Sequence, residues 1–425
     1  MTTDHMTARP ASEGGRGRFY FGVLALVFLA IALVIWLPAI LLWRTGETWP
    51  ERWGARYLIE NDAIWGSGLL QNEVAFKRAL YDEIEPEVVV VGSSQVLQFR
   101  RQMFNLPFMN MGRGLSEVLD FERSFDDLTA RHSPRLVIWG IDYWIFSQAL
   151  QASARDHDRT TRQVSFATLE GRKAPEILSS EVFSTWNLFR RGSIREGRIT
   201  WDDAIQSILH GASRPGPRLG LRAVATDYGG YVGDGSFYYF DPYQRPTSRY
   251  REAVENAELL VSQDRAVGLQ PVAEIAEEAV ADVAAAVRLM RARGIDVVLF
   301  VPPVSGPLAR LVTRATPDRV AYFRTLDEKM EALARETGAV YFDALNEFDT
   351  VDLAASEFID SGHPGEPASA KLLLYLASLS LEVAALMDRS AVEALVQEFG
   401  GRAVVDRPDF YARFGIARQE PWPVP

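Results

Sequence analysis

One stretch constrains this chain before anything else. Phe19 to Trp43 reads FYFGVLALVFLAIALVIWLPAILLW, twenty-five residues without a charge. A helix rising about 1.5 Å per residue needs about 20 such residues to cross a hydrocarbon core of about 30 Å. Tyr20 and Trp43 sit where aromatic residues favour the two interfaces, and Pro38 falls near the C-terminal end. A cleaved signal peptide would have an apolar core of about 7–15 residues ending in small residues. Leu41-Leu42-Trp43-Arg44 does not fit that, so the expectation is an uncleaved transmembrane helix. Arg9, Arg16 and Arg18 precede it; Arg44, Arg52 and Arg56 follow it. With the positive charge balanced across the run, the positive-inside rule does not choose an orientation. The short tail with arginines abutting the run favours a cytoplasmic N-terminus and an extracytoplasmic remainder. The absence of cysteine suits that location. It also excludes disulfides, thiolate zinc sites, iron–sulfur clusters and cysteine nucleophiles. The formal net charge of −11 argues against a nucleic-acid partner.

Beyond Arg44, short apolar strands alternate with helical stretches. Glu87–Val91, Arg135–Ile141 and Asp296–Val301 have the near-continuous apolar character of strands buried on both faces, and Phe108–Met111 and Val340–Phe342 are shorter candidates. Leu115–Arg131, Val272–Arg293, Val320–Thr337 and Pro367–Met387 read as the helices between and after them. The expected fold class is α/β, a doubly wound parallel sheet. The rhythm breaks between Tyr143 and about Val267, a segment read as an insertion packed over one end of the sheet. The expected organisation is a cytoplasmic tail (1–18), the transmembrane helix (19–43), a linker and lead-in (44–84), the α/β domain (85–390, insertion about 144–267) and a C-terminal extension (391–425).

Strand Glu87–Val91 runs directly into Gly92-Ser93-Ser94-Gln95. Ligands of parallel sheets bind beyond the carboxyl ends of strands, and a serine on such a turn has backbone N–H groups beside it to hold an oxyanion. Far downstream, Asp360-Ser361-Gly362-His363 precedes the last long helical stretch. An Asp and a His at that spacing suit a general base with its tautomer held by a carboxylate. Of the five histidines (His5, His132, His157, His210, His363), only His363 has this setting. A catalytic role competes, for both features, with an ordinary turn.

In combination, these blocks resemble the SGNH (GDSL-type) hydrolase superfamily. That resemblance implies a nucleophile at Ser94, with Ser93 in the place usually taken by Asp, and a triad completed by Asp360 and His363. The turn Asn110-Met111-Gly112-Arg113-Gly114 corresponds to the second block, implying an oxyanion hole from the N–H of Ser94 and of Gly112 or Gly114, with Asn110 lining the site. Gly140-Ile141-Asp142-Tyr143 corresponds to the third block, where the family has Gly-x-Asn-Asp. Asp142 departs from it, because an ionised carboxylate has no proton to donate. The Gly-Ser-Ser block, the Gly-Ile-Asp turn followed by aromatics and the N-terminal anchor resemble the membrane-anchored branch. That branch includes the alginate O-acetylation proteins and the D-alanyl transfer protein of teichoic acid.

The implied function is acyl transfer, acetyl above all, or ester hydrolysis on a cell-surface or exported polysaccharide, with a multi-pass membrane O-acyltransferase as partner. The rival is a catalytically inactive binding or assembly module of an exopolysaccharide machine. No metal-ligand spacing and no phosphate loop occur, so no metal or cofactor is expected. Trp139, Tyr143, Trp144 and Phe146 are expected in the core. Arg100, Arg101 and Arg113 are expected on the solvated surface.

Overall fold

The structure is a computed structural model. It describes residues 13–47, 49–67, 73–115, 120–148, 151, 214–249, 251, 255 and 274–422. Among these, nine strands form two sheets: β1 (Ile64–Trp65), β2 (Val88–Gly92), β3 (Phe108–Gly112), β4 (Leu136–Gly140), β5 (Arg218–Leu219), β6 (Gly229–Tyr231), β7 (Phe237–Tyr239), β8 (Asp296–Val301) and β9 (Val340–Asp343). The larger sheet has the order β3-β2-β4-β8-β9, with every pair parallel. All five strands expected from the sequence are present.

The valine run of β2 explains its central place. Val88, Val89, Val90 and Val91 are essentially inaccessible to solvent. Successive side chains of a strand point to opposite faces. Val89 and Val91 therefore join one core with Phe76, Phe125, Val283 and Phe323, from helices Glu73–Ile84, Phe121–Thr129, Glu277–Ala292 and Pro317–Thr337. Val88 and Val90 join a second core with Leu373, Leu376, Val383 and Val392, from helices Glu366–Leu379, Leu381–Leu386 and Arg389–Phe399. Helices thus cover both faces. The chain begins the sheet at β2, adds β3 on one side, then crosses to β4 on the other. The strand order reverses between β2 and β4, and a crevice opens there beyond their carboxyl ends.

Several expected boundaries shift, each for a local reason. The helix expected from Leu115 begins at Phe121. Its first N–H groups are received by a neighbouring helix: Asp282 Oδ2 accepts from Asp120 N at 2.7 Å and Phe121 N at 2.9 Å. The helix expected from Val272 begins at Glu277, since Ile275 forms a bridge with Ser147 and Ala276 N donates to Phe146 O; Val272 itself lies outside the described residues. The helix expected from Val320 begins at Pro317, behind a Thr316 side chain that accepts from Arg319 N. The expected helix Pro367–Met387 is two. Ser380 takes an extended conformation and caps the second by accepting from Val383 N at 3.3 Å.

The described part of the insertion acts together with the lead-in. It builds a second, mixed sheet in the order β5-β1-β6-β7, in which β1 comes from the lead-in. That sheet flanks the edge strand β3 and the turn after β2. Asn110 N donates to Asp234 O at 2.8 Å, and Phe237 N to Leu97 O at 3.1 Å. The C-terminal extension seals it: Tyr411, Phe414 and Ile416 share a third core with Ile64, Tyr238 and Phe240. Arg100, expected in solvent, is 2 % exposed. It donates to Ser236 Oγ, Gln98 Oε1 and Phe237 O, and lies 3.4 Å from Glu366. Trp139, Tyr143 and Phe146 are buried as expected.

At the N-terminus a helix runs from Glu13 to Arg44. Among the described residues no helix is long and apolar enough to cross a membrane. The large apolar side chains of the N-terminal helix from Phe19 to Leu33 are exposed, Phe21 at 80 % and Leu26 at 66 %.

Candidate active site

The site forms where β2 ends. Gly92 brings the backbone so close to β4 that a Cβ there would lie 2.7 Å from Gly140 O and 2.9 Å from Val96 Cγ1. The chain then tightens into a 3-10 turn, Ser94–Val96, whose first N–H groups are taken up by Ser93: its Oγ accepts from Gln95 N at 3.3 Å, and its carbonyl from Val96 N. Ser93 is therefore the cap of the turn, and the side chain of Ser94 is the one directed away from it.

Ser94 Oγ lies 2.9 Å from His363 Nε2. His363 Nδ1 lies 2.8 Å from both carboxylate oxygens of Asp360. Residues 269 positions apart thus meet in the order hydroxyl, imidazole, carboxylate. Asp360 Oδ1 also accepts from the backbone N–H of Gly362 and of His363, at 2.8 and 2.9 Å. The loop that carries them is closed on itself, with Ile359 N donating to His363 O at 2.9 Å and Gly365 N to Glu357 O at 2.7 Å. Ser305 N donates to Ser361 O from the end of β8. Buried Glu357 accepts from Ala354 N and Gly401 N and meets Lys371, fixing the loop from below.

Charge around the imidazole is uneven. Burial pushes His363 down, but Asp360, through its charge and hydrogen bond, and then Asp142 push it up. The net pKa is above the ordinary histidine value, against an opposing effect of Arg113. Burial pushes Asp360 up, but His363 and the two backbone N–H groups outweigh it and hold the carboxylate below its usual range. Asp142 is 2 % exposed and stands at the mouth of β4, where its carbonyl accepts from Ile145 N. Arg113, with a positive φ of 60°, pairs with Glu73 at 3.1 Å. Its charge bears on the site, unlike that of a purely solvated arginine.

Asn110 does not line the site. It is fully buried and braces the turn that carries Ser94, donating to Val96 O at 2.7 Å and Phe99 O at 3.1 Å. Its Oδ1 accepts from Gly112 N at 2.8 Å. Gly114 N donates to Met111 O at 2.8 Å, and Arg113 N to Gly92 O at 2.7 Å. Both N–H groups expected to hold an oxyanion after β3 are thus engaged within the protein. Ser94 N–H takes no part in the bonds of its own turn, which begin at Gln95 N.

Two contributors had no expectation attached. Lys77 is fully buried, donates to Asn110 O at 2.7 Å and to Gly235 O, and sits 4.4 Å over the Tyr231 ring. Burial lowers its pKa to about 7, with Glu73 and Asp234 acting the other way. Gln95, directly after Ser94, donates from Nε2 to Gly362 O at 2.9 Å. A lysine in an apolar helix face and a glutamine beside Ser94 were the only signals for them. His157 and His210 lie outside the described residues. Among the described residues no group of three His, Asp or Glu side chains could hold a metal ion. No protein-family model, curated protein or solved structure matches this chain.

Proposed function

We propose that this chain is an SGNH-type serine acyltransferase or esterase, anchored by one N-terminal transmembrane helix and acting outside the cytoplasm on a cell-surface or exported polysaccharide. The observation that carries the reading is the Ser94–His363–Asp360 geometry, 2.9 Å and 2.8 Å between successive polar atoms. In this mechanism neutral His363 Nε2 takes the Ser94 proton as Oγ attacks the acyl carbonyl. Asp360 holds the proton on Nδ1 and stabilises the imidazolium that forms. The tetrahedral oxyanion is met by Ser94 N–H, and the Gly112 and Gly114 N–H groups contribute only by giving up their present partners. His363 then protonates the departing group. The acyl group on Ser94 passes to a sugar hydroxyl or to water, activated by the same imidazole.

The exposed apolar side chains of helix Glu13–Arg44 and the uncharged run within it support the anchor. An anchor in turn suits delivery of the acyl group, acetyl above all, by a multi-pass membrane O-acyltransferase. A second reading, a binding or assembly module that has lost catalysis, is favoured by one observation. Buried Asp142 sits at the mouth of the crevice, where a negative charge opposes an oxyanion.

The test uses the full chain in detergent with an acetyl ester, with and without oligosaccharide. The expected result is ester cleavage that Ser94→Ala lowers by on the order of 10³-fold or more. Faster turnover with acetylated oligosaccharide identifies transfer; release of acetate alone identifies hydrolysis. Full activity of Ser94→Ala would refute the assignment.

A further inference from the structure

We infer that Gln95 is a positioning residue: its amide clamps the loop bearing the general base onto the turn bearing the nucleophile. The inference rests on the reading of Ser94 as nucleophile. Ser94 and Gln95 are consecutive, and each reaches across to the same distant loop. Ser94 Oγ meets the His363 ring, and Gln95 Nε2 donates to Gly362 O at 2.9 Å. Gly362 is thereby held from both sides, since its N–H donates to Asp360 Oδ1. The other bonds of the loop, from Ser305 N and within Phe358–Pro364, tie it to the segment after β8 and to itself. Among the described residues the Gln95 bond is the one that joins it to the nucleophile turn through a side chain other than Ser94.

The turn does not need this side chain for its own stability, because Ser93 supplies the cap. Gln95 is 7 % exposed, and its Oε1 is buried with no hydrogen-bond partner. An amide that leaves its acceptor unsatisfied is costly at a buried position, and an apolar side chain would avoid the cost. What the amide adds is a fixed distance between two backbones. A displacement of about 1 Å between reacting groups can cost about 10²-fold in rate.

The test is the rate of Ser94 modification by a fluorophosphonate. It is measured on the full chain in detergent against reagent concentration and pH, beside a thermal unfolding curve. Gln95→Ala is expected to lower the limiting rate by about 10-fold or more, with the half-saturating reagent concentration unchanged. Gln95→Glu supplies a donor only while protonated. Its rate relative to the wild type at the same pH is expected to be near one at low pH and to fall as the new carboxyl ionises against Gly362 O. If Gln95→Ala does not fold, that ratio decides alone. A wild-type rate in Gln95→Ala, or an equal loss in the Glu variant at every pH, overturns the inference while leaving the nucleophile in place. A wild type that is never modified overturns the nucleophile assignment itself, and the clamp with it.

Discussion

Asp360 is about half exposed and His363 about a third, so solvent screens their coupling, but the sign of each shift still sets a pH dependence. His363 is raised in the folded protein, so the stability its protonated form adds is present below the unfolded pKa of about 6.5 and is lost as pH rises through the folded value. Asp360 is held low; its contribution is present above about 3.9 and is lost as pH falls through the folded value. For activity the same shift means that the neutral imidazole appears only above the ordinary histidine range. We predict an acid limb in the rate profile centred above about 6.5. Asp360→Asn should move that limb to lower pH and lower the plateau by on the order of 10⁴-fold, because the amide favours the wrong tautomer. An acid limb that stays in place in Asp360→Asn would contradict the charge coupling. Lys77 gives a complementary case. Its pKa of about 7 lies below the unfolded value of about 10.4, so the unfolded chain binds more protons between these limits and stability rises with pH across them. Lys77→Met should remove that rise, seen as a difference from the wild type in denaturant midpoints at about pH 7 and pH 10.

At the scale of elements, Asn110 shows how a strand end sets up its neighbour. Three hydrogen bonds involve its side chain, two to the backbone after Ser94 and one from Gly112. Asn110→Ala removes the side-chain partner of Phe99 O and of Gly112 N, while Val96 O keeps its bond from Phe99 N; the cost is about 1–3 kcal/mol for each group left unpaired, before relaxation. The expected loss is about 2–4 kcal/mol in unfolding free energy with slower Ser94 chemistry; a loss below about 0.5 kcal/mol would contradict the bracing role. The parallel strands were legible in the sequence because a strand buried on both faces is apolar throughout, as in Val88–Val91. Helix ends were less so. The start at Phe121 depends on Asp282, 161 residues away from it, and no local pattern carries that. Thr316-Pro317, in contrast, is a local start signal that the apolar periodicity beginning at Val320 outweighs. That Ser94, Asp360 and His363 meet was legible only from the two turns taken together, because each turn alone reads equally well as an ordinary turn. The bracing role of Asn110 was not, because a polar residue inside a strand reads as lining a site unless its partners are known. Gln95 was silent because its side-chain donor meets only the distant carbonyl of Gly362.

For the whole molecule, the order β3-β2-β4-β8-β9 puts Ser94 and Asp142 on either side of the strand reversal. The second sheet lies along β3, and the C-terminal residues pack on that sheet. The proposed orientation puts residues 44–425 outside the cytoplasm and predicts that a reporter fused after Pro425 is active only in an extracytoplasmic compartment; activity in the cytoplasm would reverse it. The central claim is that His363 makes Ser94 a nucleophile, and chemical modification tests it most directly. The full chain is treated with a fluorophosphonate from about pH 5 to 9 and the modified residue mapped by peptide mass. The account predicts one adduct, at Ser94, formed more slowly as His363 becomes protonated and absent in His363→Ala. A folded protein unmodified at Ser94 at every pH, or modified equally well without His363, would contradict it.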